Sequence, residues 1–364
     1  MKKLHTSAWA LAALLPCRVL GGEPPAGWVI GWGDNTVGQA TGVPSPFRGV
    51  ASPATGAVMI AGHLLTNAVT VAAGELHSLA LTADGRVVGW GANGAGEAIG
   101  YDVPHPYGTS GEVKLMGQPL SDVVAIAAGR ADCPGFSLAL RRDGKVVAWG
   151  DNRLGQTAVP DGLSNVVAIA AGAFEALALK ADGTVVSWGQ GYPPPPGLTN
   201  VIAISAADMY GHNLALTRDG RVVDWWVGSS RYDLCTVPAG LSNVVALSAG
   251  WNHSLALKRD GTVVGWGFNG AAQATGVASV PPEVQATGTV MVAGQVLTNV
   301  VAIAAAHEFS LALRRDGTLA AWGGQASGVA ITPPAGLSNV VAISASGYFC
   351  LAITTNAAPF AFRK

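Results

Sequence analysis

Charge is what this sequence has least of. Asp, Glu, Lys and Arg together make 12% of its 364 residues, about half the usual ~25%. That scarcity excludes a charge-rich disordered chain, a coiled coil and an acidic or basic tail protein. A net charge of −1 supplies no bulk field for holding a polyanion, so nucleic acid is not an expected partner. Long apolar runs are missing as well. Although hydrophobic residues make 49% of the chain, no run approaches the ~18 residues of a spanning helix. Cysteine is sparse: Cys17, Cys133, Cys235 and Cys350 are all there is. The last three are odd in number and fall in separate repeats. Small hydrophobic fillers are expected of them rather than a disulfide framework, in a chain long enough to build a core without one. G-x-S-x-G, H-E-x-x-H, a phosphate loop and C-x-x-C are also absent, which points away from catalysis and leaves no cofactor to expect.

What is present begins with a leader. Lys2-Lys3 precede an apolar stretch from Ala8 to Leu15, then Pro16, and Val19-Leu20-Gly21 suits a cleavage site. A basic start, a short apolar centre and a small-residue exit read as a secretory signal over residues 1–21. The expected location is therefore secreted or periplasmic.

The rest is repetitive. Trp, followed by Gly in all but one case, closes an apolar run at Trp32, Trp90, Trp149, Trp188, Trp225, Trp266 and Trp322. Asp-Gly precedes every one but the first, as at Asp182-Gly183 and Asp219-Gly220. Earlier in each unit lies a run such as VVAIAAG, beginning near Ala68, Val123, Val166, Val201, Val244, Val300 and Val340. Repeats of this length indicate solenoids or propellers. The unit Asn165 to Gly189 divides into three short apolar runs with Asp-Gly between the last two. Such runs, bounded by turn residues, are strands buried on both faces. Asp-Gly is a hairpin signal, since both central residues can adopt positive φ. A following segment such as Gly155 to Pro160 is expected to add a short fourth, outer strand, where proline suits an edge.

The expected fold is all-β: a seven-bladed propeller of four-stranded antiparallel blades spanning residues 26–356, with a short tail over 357–364. Small Ala-Ala-Gly endings fit strands converging on an axis, and the tryptophans fill the wider space further out. The last unit stops near Asn356, where Asp-Gly should follow, and Ala26 to Gly33 matches its missing strand. One blade should therefore be completed by both ends of the chain. Three units are longer. Thr55 to Asn67 and Thr287 to Asn299 agree at nine of thirteen positions, and Ser110 to Asp122 is a looser copy. These should form longer outer strands on the rim.

The pattern VVAIAAG-x-x-H-S-LALK-x-DG-T-V-V-x-WG-x-N-x-x-GQ resembles the regulator of chromosome condensation repeat family, whose members form seven-bladed propellers. Short repeats with VP after GQ, behind an export signal, are similar to the secreted bacterial branch of that family, which includes a propeller-type β-lactamase-inhibitory protein. The eukaryotic branch acts in nucleotide exchange on a small GTPase and in chromatin binding. No basic arm is present here. Departures from the pattern include Trp226 in place of glycine, an expanded loop from Arg130 to Phe136, and the three long units.

Antiparallel alternation sorts the loops. Those after the first and third strands of each unit share one face, and the Asp-Gly turns share the other. The first set contains Glu75-Leu76-His77, Arg130-Ala131-Asp132, Phe174-Glu175, Met209-Tyr210, Trp251-Asn252, His307-Glu308-Phe309 and Tyr348-Phe349. The second contains Asp34-Asn35, Asn93, Asp151-Asn152-Arg153 and Phe268-Asn269. Aromatic anchors among polar residues suit a protein-binding surface. The resemblance implies that Phe174, Met209, Trp251 and Phe349 face a target. His77, His212 and His253 hold equivalent positions in separate units, so a structural hydrogen bond is expected of them rather than a shared metal. Glu75, Glu175 and Glu308 are also spread over separate units, too far apart for a hydrolytic pair. Pro193 to Pro196 reads as a stiff rim spacer. The expectation is a monomeric, non-catalytic scaffold that binds another protein. The alternative is a cell-surface or polysaccharide-binding module, and an exchange-factor-like propeller comes after it.

Overall fold

The computed structural model describes residues 25–44, 53–100, 108–129, 135–191, 193–207, 212–225, 236–278, 285–324 and 331–356. The leader, the tail, Trp226, Cys133 and Cys235 lie outside them. The described residues contain strands and turns and no helix.

Seven antiparallel sheets of three or four strands follow one another along the chain. Sheet 3 shows the common plan. Val166–Ala171 pairs with Glu175–Lys180, which pairs with Val185–Gly189. Sheets 1, 2, 4, 5 and 6 begin at Ala68, Val123, Val201, Val244 and Val300. Sheet 7 begins at Val340–Ser346, continues through Phe349–Thr354, and then takes its third strand, Trp28–Asp34, from the other end of the chain. Trp32 lies opposite Cys350 there, as Trp188 lies opposite Ala176 in sheet 3. The first strand of each sheet packs against the first strand of the next, and Val340–Ser346 packs against Ala68–Ala73 of sheet 1. A bulge recurs at the second residue of all seven first strands.

Two expectations need correcting. Among the described residues a fourth strand is present only in sheets 1, 5 and 7, as Thr109–Glu112, Gln285–Thr289 and Pro53–Ala57. In sheet 2 the segment Gly155 to Pro160 forms turns and loop instead. Val159 and Leu163 pack onto the apolar cluster there, covering the strands with side chains rather than with a hydrogen-bonded ladder. The long units account for the difference. Each supplies the fourth strand and then a small rim hairpin, such as Lys114–Leu115 with Gln118–Pro119.

The Asp-Gly turn is the second correction. Only its glycine takes positive φ, +81° at Gly183. Lys180 and Thr184 exchange a backbone bond around it, and Gly183 N–H donates to Lys180 O at 2.9 Å. This is a type I turn followed by a left-handed glycine, the three-residue hairpin loop. The aspartate serves the turn through its side chain. Asp182 Oδ1 accepts from the Thr184 N–H and hydroxyl at 3.0 and 2.6 Å. Those bonds hold its pKa at about 2. Turns with two positive φ residues occur instead at the rim hairpins, for example Met116-Gly117. The asparagine of the G-L-S-N connections also has a backbone reason, since Asn165, Asn243 and Asn339 all sit at φ between 52° and 59°, a region that Asn tolerates.

All seven repeat tryptophans are buried. Indole N–H groups of Trp90, Trp149, Trp188 and Trp322 each donate to a backbone carbonyl in the Gly-Gln, Gly-Glu or Ala-Gln turn of the preceding sheet, those of Gln39, Glu97, Gln156 and Gln273, at 2.9–3.0 Å. The tryptophan is therefore both a wedge between sheets and a polar tie from one to the next.

Candidate loop-face binding site

The loops after first and third strands lie together, as alternation requires. Ala92 N–H donates to Leu76 O at 2.8 Å, Gln190 to Phe174 O at 2.9 Å, Phe268 to Asn252 O at 2.7 Å and Gly324 to Glu308 O at 2.8 Å. These ties repeat from sheet to sheet and hold the two loops of each sheet together. On this loop face, consecutive sheets 5, 6 and 7 bring Trp251, His307 and Tyr348 into contact. The Trp251 and His307 rings stack with centroids 3.6 Å apart and 12° between planes. Tyr348 meets His307 edge-on at 5.0 Å. The Trp251 backbone N–H also donates to Ala306 O at 3.2 Å, which fixes the first loop against the second. All three rings are half-buried. Burial lowers the His307 pKa to about 4, so the arc is uncharged at neutral pH. Glu75 of sheet 1 lies beneath the next loop rather than on the surface: it is 8% exposed, and its carboxylate lies within 2.9 Å of the point where a Cβ on Gly347 would sit.

Other candidates part company here. Phe174, Leu76 and Asn252 are half-buried on the same face. Arg130, Asp132, Met209 and Tyr210 lie outside the described residues. Glu175, Phe309 and Phe349 are not surface contacts: Phe309 and Phe349 are 0% and 1% exposed, and Glu175 is 4%. They open the second strands, and their side chains run between sheets. The second set of loop residues is corrected in the same way. Asn35, Asn93 and Asn269 are buried and lock their own turns. Asn93 Oδ1, for instance, accepts from Ala98 and Ile99 N–H, both at 3.0 Å.

The position occupied by Glu175, Phe309 and Phe349 is also that of His77, His212 and His253, and it is an intersheet lock. His77 Nε2 meets Ser137 Oγ at 2.9 Å, His212 meets Ser254 at 2.8 Å, and His253 meets Ser310 at 2.7 Å. Ser137 and Ser310 in turn donate to Glu97 O and Gln273 O at 2.7 and 2.9 Å. Their oxygens therefore accept, and Nε2 carries the hydrogen. Burial lowers the pKa of His77 and His212 to about 4. For Phe136 and Phe309 the next sheet offers a small residue from the same cluster, Ala176 and Cys350, whereas the residue corresponding for Phe349 is Ser78, which donates to Gln39 O at 2.8 Å. Where it holds Glu175, the next sheet offers Asn213, whose Nδ2 donates at 3.1 Å. The serine, asparagine and small partners were not foreseen. Their signal is the residue after the lock position, read against the repeat before it.

Comparison with known proteins agrees with this architecture. Residues 68–97, 134–156 and 244–273 match the model of the regulator of chromosome condensation (RCC1) repeat. Protein pim1 of Schizosaccharomyces pombe is 31% identical over 170 residues, which are 44% of this chain and 27% of pim1. Human HERC6, a probable E3 ubiquitin-protein ligase, is 38% identical over 133 residues, 35% of this chain and 12% of the relative. The match thus spans about a quarter or less of these curated relatives. Among solved structures, Prp20p from Saccharomyces cerevisiae superposes with a TM-score of 0.67 at 20% identity, covering 95% of this chain and 94% of that one. Three segments of the chain thus match regulator of chromosome condensation repeats, and its fold is that of the propeller proteins of that family.

Proposed function

We propose that this chain is a non-catalytic scaffold that binds another protein through its loop face, with the Trp251–His307–Tyr348 arc as the anchor. The observation that carries the reading is the arc itself. Three rings from three consecutive sheets are held half-exposed over strands that share one plan. Such preorganised aromatic anchors are what binding hot spots use. Prp20p has binding properties to Gsp1p and histones, which supports protein recognition as the use of this scaffold. We read the seven sheets as seven blades of one wheel closed by the pairing of Trp28–Asp34 with Phe349–Thr354. Closure of that kind gives the face its rigidity.

We also propose export, with residues 1–21 as a cleaved leader, and a partner in the secreted or envelope compartment. Inhibition of a secreted enzyme is one form this could take. Affinity capture from a native secretome with the mature chain as bait tests the reading. Trp251→Ala combined with Phe174→Ala should leave the melting temperature within a few degrees and abolish capture. Unchanged capture by the folded double variant would move the interface off this face. Glycan binding with no protein captured would favour the polysaccharide reading instead.

A further inference from the structure

The opposite face holds a second candidate site. Arg218 and Arg221 flank the Asp219-Gly220 turn of sheet 4. With Thr199 and Asn200, from the connection that leads into that sheet, they line a cavity of about 500 Å³. That volume falls within the ~300–1,000 Å³ of small-molecule sites.

Three features set this turn apart from its counterparts. First, the cation two residues after the aspartate is neutralised in sheets 1 and 2. Arg86 is bridged to Asp84 and Glu112 at 3.4 and 2.8 Å, and Lys145 to Asp143 at 3.9 Å. Arg221 holds the same place in sheet 4. Among the described residues neither it nor Arg218 has a carboxylate within ion-pair distance, although both are exposed. Second, the one carboxylate among the described residues at the site is committed to its own turn. Asp219 accepts from the Thr217 hydroxyl and from the Arg221 backbone N–H, which keep it ionised and fixed in its own turn. Two guanidiniums against one committed carboxylate leave a positive surplus. Third, the turn stands clear of its neighbour. A Cβ on Gly220 would meet nothing within 4 Å, whereas on Gly183 or Gly317 it would lie 3.0 Å from Asn200 or Asn339.

We propose that this cleft is an oxyanion site, taking a carboxylate, sulfate or phosphate group carried on a small polar molecule such as a sugar acid. Guanidinium forks match planar and tetrahedral oxyanions with paired donors, and the Thr199 hydroxyl adds a neutral donor at the wall. The cavity is larger than a bare anion, so part of it is left for the scaffold that bears the charge. This site is independent of the aromatic arc, and each can fail without the other.

A titration of the ¹⁵N-labelled full chain tests it, at constant ionic strength, with sulfate, glucuronate, glucose and chloride. Sulfate and glucuronate should shift the Arg218 and Arg221 side-chain resonances saturably, with glucuronate at least as tight as sulfate. Glucose and chloride should not. Arg221→Gln should weaken glucuronate at least tenfold with the melting temperature unchanged. Arg259→Gln, at the place in the sheet 5 turn that corresponds to Arg218, should leave it as it was. Linear shifts without saturation, equal binding of glucose, or equal loss in Arg259→Gln would each overturn the proposal.

Discussion

Sheet 5 meets its two neighbours through matching inner contacts and different outer ones. Towards sheet 6, His253 holds Ser310 at 2.7 Å, Ala305 N–H donates to Ser248 Oγ at 2.9 Å, Trp322 ties to Gln273 O at 2.9 Å, and Val300 N–H donates to Gly261 O at 3.0 Å. Towards sheet 4 the first two contacts recur, as His212 with Ser254 at 2.8 Å and Ala249 with Ser205 at 3.0 Å. The outer pair does not. The Trp266 indole N–H is buried without an acceptor among the described residues, and Gly220 stands apart from the connection beyond it. The sequence holds the reason: Trp226 replaces the glycine after Trp225, and no Gly-Gln follows. Contacts near the convergence of the first strands thus survive a change that removes those further out.

That comparison is broken most forcefully at the tryptophans. Trp322→Ala and Trp266→Ala should each cost about 3–5 kcal/mol, since both empty a fully packed site. The phenylalanine variants separate transfer from tie. Trp322→Phe loses a made hydrogen bond and should cost about 1 kcal/mol more than Trp266→Phe, which has none to lose. Urea midpoints at constant m-value would show it, and equal costs would mean that the indole tie contributes nothing.

The inner lock is the next test. Ser310→Ala leaves the His253 Nε2–H buried without its acceptor and should cost about 1–3 kcal/mol. Adding His253→Phe should recover most of that loss, because Phe136 with Ala176 shows that an apolar pair fits the same geometry. The histidine locks also predict acid sensitivity. An unfolded histidine titrates near 6.5, while His77 and His212 fold with values of about 4. Between those values the unfolded chain binds more protons, so stability present above pH 6.5 falls as the pH drops towards 4. The slope is about 1.4 kcal/mol per unit for each such histidine. His77→Phe with Ser137→Ala should flatten the dependence of the melting temperature between pH 7 and 5, and an unchanged slope would place the sensitivity elsewhere.

Most of the strand plan was legible because each apolar run has to serve the same intersheet layer, so the pattern repeats. The pairing of Trp28–Asp34 with Phe349–Thr354 was legible for the same reason, as half a repeat at each end. The absence of a fourth strand from the described residues of sheet 2 was not. Thr157 to Pro160 has apolar residues and a proline that suit an edge, yet nothing in composition separates a strand from a loop that packs by side chain alone. The loop face was half legible. Loop position pointed to Trp251, His307 and Tyr348, which the structure brings together half-exposed, but it also pointed to Phe309 and Phe349, which open the second strands and face inward. A shift of one residue reverses the side chain in a strand, and the loop–strand boundary is where sequence reading is coarsest.

The smallest effect is the most discriminating, because it holds the backbone constant and varies only the neighbour. Gly183, Gly220, Gly261 and Gly317 share positive φ between 79° and 87°. Alanine at any of them should therefore incur the left-handed cost of about 1–2 kcal/mol. The added Cβ then meets different surroundings: a backbone atom of Asn200 or Asn339 at 3.0 Å for Gly183 and Gly317, Asn299 at 3.3 Å for Gly261, and open space for Gly220. Gly220→Ala should be the mildest of the four and Gly183→Ala and Gly317→Ala the most severe, with a spread of about 1 kcal/mol as expected of mild overpacking. Denaturant midpoints of the four variants measure that order directly. Four equal losses would mean that φ alone sets the cost, and that the gap beside sheet 4 has no energetic consequence for the turn that borders it.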